Sequence, residues 1–189
     1  MILPIVQYGH PALRKKGERI GKITPEIRSL IADMFDTMYA AAGIGLAAQQ
    51  VGRALQLTVL DVRGVKDRPS TFERNGTPAD VASAMPLVLI NPVLRPFGEL
   101  VMGPEGCLSF PEIYEEISRH ESVEVTAVDD KSTPIQFIAG GLLGRAIQHE
   151  VDHLNGILFI DRMPLAAKRA LKPELDALQQ RTKDELKKD

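Results

Sequence analysis

Ile27, Leu30, Ile31, Met34, Phe35 and Met38 recur at three- and four-residue intervals, so an early stretch of the chain carries one apolar helical face. Just ahead, Thr24-Pro25-Glu26 supplies an N-cap oxygen, a first-turn proline and an acid facing the helix dipole. The helix is predicted to stop around residues 41–42, because Gly43-Ile44-Gly45 offers two positions free to take positive φ. The pattern then changes. Residues 55–62 alternate and are β-branched enough for a strand, as are residues 87–91 and 122–128. Between the first two strands, residues 63–86 are rich in charge, Pro, Gly, Ser and Asn, which predicts a mobile surface loop insertion. Residues 142–154 form a second predicted helix. The tail, 165–189, is helical in composition, interrupted by Pro173, with Leu171, Leu175 and Leu178 on one stripe. No repeat or composition shift divides the chain, so residues 1–189 are expected to form one domain.

At 189 residues the chain can bury a hydrophobic core of its own. A formal net charge of -2 gives no general affinity for nucleic acid or for an anionic membrane. No apolar run approaches the roughly 18 residues that span a bilayer. The amino terminus, Met1-Ile2-Leu3-Pro4-Ile5, lacks the basic start and long apolar stretch of a secretory signal. The one cysteine, Cys107, excludes an internal disulfide framework and suits a reducing, cytoplasmic setting.

The chemistry is concentrated in the second helix. His149-Glu150-Val151-Asp152-His153 is an H-E-x-x-H pattern, and residues four apart share a helical face. Both imidazoles can therefore reach one metal ion, with Glu150 beside it. A catalytic site of this kind needs a third protein ligand and an open position. The metzincin protease extension is excluded, because Phe159 stands where its third histidine belongs. Glu174, about one helix-length downstream, has the spacing of a gluzincin ligand. Cys107, in Glu105-Gly106-Cys107-Leu108-Ser109, is the other candidate, since a thiolate is a strong, soft donor.

Three segments together resemble the peptide deformylase family. They are Gly43-Ile44-Gly45-Leu46-Ala47-Ala48-Gln49-Gln50, Glu105-Gly106-Cys107-Leu108-Ser109 and Gln148-His149-Glu150-Val151-Asp152-His153, complete and in the family's order. The resemblance implies an α+β fold, in which short antiparallel β-sheets surround the central H-E-x-x-H helix and a C-terminal helix follows. It implies one divalent ion held by Cys107, His149 and His153. Fe(II) is the usual ion, and Zn, Ni or Co are alternatives. The implied reaction is hydrolysis of the formyl group on the N-terminal formylmethionine of nascent proteins, with an activated water as nucleophile. Glu150 would act as the proton carrier. The Gln50 side-chain amide and the Leu108 backbone N–H would stabilise the charge that develops on the formyl oxygen.

For substrate binding, Ile44, Gly45 and Gly106 resemble edges that pair with an extended peptide. Leu142, Arg145 and Ala146 share the helix face leading to the metal and, with Ile44, are expected to line a methionine pocket. Arg145 is expected to lay its stem along that wall with its charge in solvent. Two features depart from the commonest bacterial pattern: the 63–86 insertion, and Tyr114 where many members carry arginine. Residues 162–189 hold 8 Lys/Arg against 5 Asp/Glu, and in this family such a helix can contact the ribosome. A zinc endopeptidase using Glu174, and a non-enzymatic metal-stabilised binding module, are the competing readings.

Overall fold

The computed structural model describes residues 1–188. The first helix, α1 (Pro25–Ala40), starts where the capping signals put it: the Thr24 side chain accepts from the Ile27 amide at 3.4 Å. After it come strands β1 (Gly45–Ala47), β2 (Leu57–Leu60), β3 (Ser70–Arg74) and β4 (Thr77–Pro78) and a single turn, α2 (Val81–Ala84). Two long strands, β5 (Leu87–Cys107) and β6 (Phe110–Val128), lead to β7 (Pro134–Gly140) and the second long helix, α3 (Gly141–Leu154). The tail forms α4 (Leu165–Ala170) and α5 (Lys172–Glu185). All paired strands are antiparallel, in the order β1-β2-β5-β6-β7-β3-β4. The expected α+β class holds, with the strands joined into one bent sheet around α3. None of the described helices is long and apolar enough to cross a membrane.

One expectation changes. Residues 63–86 are not simply an irregular loop, because β3 adds to the sheet through Thr71↔Gly140, Phe72↔Ala139 and Glu73↔Ile138. Phe72 is buried there and stacks near Phe137, with ring centroids 5.0 Å apart, which supplies the apolar anchor the polar composition concealed. The tail is interrupted beside Pro173 as expected, at Leu171 between α4 and α5. That proline lies in the first turn of α5, where a missing N–H costs nothing. Leu175 and Leu178 pack with Leu13, Phe110 and Phe159 in one core cluster.

Every residue of α3 after Gly141 is buried, polar ones included. Apolar Leu142, Leu143, Ala146, Ile147, Val151 and Leu154 anchor it in the main core. Its start is capped from outside, since Leu142 N–H donates to Pro69 O and Leu143 N–H to Ser70 Oγ, both at 3.0 Å. Gly144 allows close approach to β7: a Cβ there would stand 2.8 Å from Ala139 O. This helix therefore presents its polar residues at fixed positions inside the protein.

Candidate metal centre

Cys107 ends β5, Leu108 and Ser109 form the two-residue turn, and Phe110 begins β6. That hairpin brings the sulfur over the exit face of α3. One ligand atom from each of Cys107, His149 and His153 lies within 4.8 Å of the others. Cys107 Sγ and His153 Nε2 are 3.3 Å apart. Among the described residues this is the one group of three such side chains able to hold a metal. Glu174, by contrast, is exposed in the first turn of α5 and does not join it.

The surrounding groups fit a cation. His149 Nδ1 lies 2.9 Å from Glu105 Oε2. An ionised carboxylate can only accept, so the proton sits on Nδ1 and Nε2 is left as a donor to metal. Burial works against ionising Glu105, but hydrogen bonds from Arg119 and His149 outweigh it and hold its pKa well below the usual range. Arg119 donates to both Glu105 oxygens, at 2.8 and 2.9 Å, and to Asp152 at 2.5 Å. Arg162 closes the row by donating to Asp152 at 2.5 and 2.6 Å. Burial would lower the His149 pKa, yet Cys107 and Glu105 raise it well above normal. The sulfur and the Glu105 carboxylate thus favour positive charge at His149, while burial and the neighbouring cations hold His153 well below the normal range, neutral as a metal ligand must be. Sulfur with two imidazoles is a donor set for Fe(II), Co, Ni or Zn rather than for Mg or Ca.

Glu150 stands beside the ligands with Oε2 buried and unpartnered. Burial pushes its pKa up to about 7. Gly45 makes room for it: a Cβ at that position would lie 2.5 Å from Glu150 Oε1. Gln50 is oriented by its own backbone surroundings. Its Oε1 accepts from the Ala47 amide at 2.8 Å, which turns Nε2 toward Cys107 Sγ at 3.5 Å and Ser109 Oγ at 3.4 Å. Gln49, the other glutamine of the motif, is buried away from the cleft with no side-chain partner.

A cleft of about 520 Å³ opens over these groups, bordered by Ile44, Gly45, Gly106, Leu108 and the exposed Tyr114. A smaller cavity of about 90 Å³ adjoins it, bordered by Ile44, Leu142, Arg145, Ala146, His149 and Glu150. Leu142 and Ala146 are both core residues and cavity wall. The expectation for Arg145 is corrected: its charge is not in solvent. The guanidinium donates to Val101 O and Ile117 O at 2.7 Å, to Gly103 O at 3.3 Å and to Glu105 at 3.0 Å. Gly103 permits this, since a Cβ there would meet the guanidinium at 2.9 Å. Arg119, Asp152 and Arg162 had no assigned role in the sequence. Asp152 was carried by the H-E-x-x-H segment without a role of its own, and nothing local marked Arg119 or Arg162 as its partners.

Comparison with known proteins agrees with this geometry. A profile of the polypeptide deformylase family matches residues 2–169. A peptide deformylase of Methylacidiphilum infernorum is 46% identical over 178 residues, covering 94% of this chain and 93% of that one. Among solved structures, a mutant of Arabidopsis thaliana peptide deformylase 1B superposes with a TM-score of 0.83 at 36% identity, covering 97% of this chain and 94% of that chain. A Synechococcus elongatus peptide deformylase, solved in complex with actinonin, gives 0.76 at 41% identity over 90% of this chain and 85% of that chain. With profile, relatives and fold in agreement, the chain belongs to the polypeptide deformylase family, enzymes that remove the N-formyl group.

Proposed function

We propose that this chain hydrolyses the formyl group from the N-terminal formylmethionine of nascent polypeptides, in the cytoplasm, with Cys107, His149 and His153 holding one divalent ion. When bound, that ion supplies Lewis acidity and an activated water. Fe(II) is the favoured ion, with Zn, Ni or Co as alternatives that the same donors accept.

The chain's own residues do the rest. Glu150 takes the water's proton on its carboxylate and passes it to the departing amine. Gln50 Nε2 and the Leu108 backbone N–H donate to the formyl oxygen as charge develops there. Removing one such donor typically costs about 3 kcal/mol of barrier. The β1 edge at Ile44 and Gly45 and the β5 edge at Gly106 pair with the extended peptide, a strand-addition mode. Ile44, Leu142 and Ala146, with the Arg145 stem, take the methionine side chain. The exposed basic residues of α5 contact the ribosome.

One observation carries the reading: the buried, unpartnered carboxylate oxygen of Glu150 lies beside a sulfur and two imidazoles converging within 4.8 Å. A carboxylate placed there can both accept and return a proton. An endopeptidase using Glu174 is not favoured, because that side chain lies exposed on α5. The test is formate release from formyl-Met-Ala-Ser, using protein purified anaerobically with iron or loaded with nickel. Turnover is expected; its absence in both preparations refutes the proposal.

A further inference from the structure

The small cavity of about 90 Å³ has an outer neighbour, a groove of about 540 Å³ running along Met102 and His120 on the far side of α3's first turn. Four residues border both spaces: Arg68, Pro104, Leu142 and Arg145. They are a partition. Three of them are fixed, Pro104 within β5, Leu142 in the core, and Arg145 by its four acceptors. Arg68 is held differently. Its half-buried side chain makes one hydrogen bond, from the guanidinium to Pro104 O at 3.2 Å.

The backbone beside Arg68 is nevertheless pinned. Pro69 O and Ser70 Oγ cap α3, and β3 pairs with β7 from Thr71 onwards. Gly141, with φ of 60°, comes so close that a Cβ would stand 2.3 Å from Pro69 O. The stem of Arg68 is thereby planted at the cavity's end, while its charged head faces the water of the groove.

We infer that Arg68 is the end wall of the side-chain pocket and sets the length of the N-terminal side chain that the site accepts; the inference rests on the deformylase reading. An unbranched apolar side chain that stops at Arg68 stays clear of the charge. A longer one must displace the guanidinium from Pro104 O and leave an apolar chain against a cation. The 63–86 segment, through this residue, is a specificity element.

The test compares kcat/KM for formyl-Met-Ala-Ser with that for the same peptide carrying 2-aminooctanoate in place of methionine. In Arg68→Ala the ratio of the long to the methionine substrate rises by about tenfold or more, the scale that methylene-sized changes in an apolar pocket produce. Arg68→Gln, which keeps much of the length without the charge, gives a smaller rise and serves if the alanine variant is unstable. A ratio unchanged within about twofold in both variants overturns the inference alone. If the wild-type chain releases no formate from either peptide, the deformylase reading fails and the inference falls with it.

Discussion

Glu105 Oε2 lies 2.9 Å from His149 Nδ1, so the residue two places before the thiolate orients the first imidazole. The same carboxylate is gripped by Arg119 and Arg145, which come from β6 and α3. One strand end therefore carries a ligand and the group that aims another, and both are locked to the helix by buried charge.

Glu105→Gln follows directly. An amide cannot balance two buried guanidinium groups, and breaking such a pair costs about 3–5 kcal/mol. The melting temperature is expected to drop accordingly. Loss of the group that orients a metal-binding histidine lowers metal affinity by about 10–100-fold. Chelator competition measures the second effect, and unchanged affinity would remove the orienting role.

The contact between Gly45 and Glu150 makes a second prediction. A Cβ at Gly45 would stand 2.5 Å from Oε1 and 2.8 Å from Cγ of Glu150. Neither backbone can yield, since β1 pairs with β2 and α3 is buried. In Gly45→Ala the carboxylate must turn away, and kcat should fall by about 100-fold, the lower range for losing a general base. Metal content should stay at the wild-type ratio, as it should in Glu150→Ala. A Gly45→Ala enzyme of normal kcat would contradict the proposed role of Glu150.

Burial, partly opposed by His149, raises Glu150 to about 7 from an ordinary 4.5. Between those values the native state holds more protons than the unfolded chain. The contribution is therefore fully present below 4.5 and is lost as pH rises through about 7. The ligand histidines are shifted too, His149 well up and His153 well down, so the quantity to measure is a difference. In chelator-stripped protein, the melting temperature of wild type minus that of Glu150→Gln should decline between about pH 5 and about pH 8. A flat difference would show that the carboxyl is not held protonated by burial.

The parts of the fold legible in the sequence are those with local causes. Thr24, Pro25 and the Gly43 turn fixed α1 because caps act within a few residues. The H-E-x-x-H spacing placed two ligands because helical geometry repeats every turn. β5 runs well past the expected 87–91 although Pro92, Pro96, Gly98 and Pro104, residues that weaken a strand, lie within it. Two of these fall at register shifts, between Ile90 and Val93 and between Phe97 and Leu100, so the ladder bends and continues. β3 was hidden because a short strand with one buried aromatic, lying next to the edge strand β4, has loop-like composition. The salt-bridge row from Glu105 through Arg119 and Asp152 to Arg162 was invisible for another reason: pairing across 14 and 33 residues leaves no periodicity.

The tail gives the last prediction, and its burial decides how the ribosome proposal must be tested. Deleting residues 173–189 would strip Leu175 and Leu178 from the cluster around Phe110 and Phe159, and would expose Gly9 where it packs on Gln179 O. Each leucine lost from a core costs about 2–5 kcal/mol. A truncated chain would then fail to bind anything for lack of a fold. Reversing charge on the exposed face avoids this. Arg181, Lys183 and Lys188 are exposed. Changing all three to Glu should leave the melting temperature within about 2 °C, because surface substitutions rarely move stability by more than about 0.5 kcal/mol. Co-sedimentation with ribosomes at low salt should fall severalfold in that triple variant, since contacts to phosphate weaken with each cation removed. Equal co-sedimentation by wild type and the triple variant would exclude a ribosome contact through these basic residues of the tail.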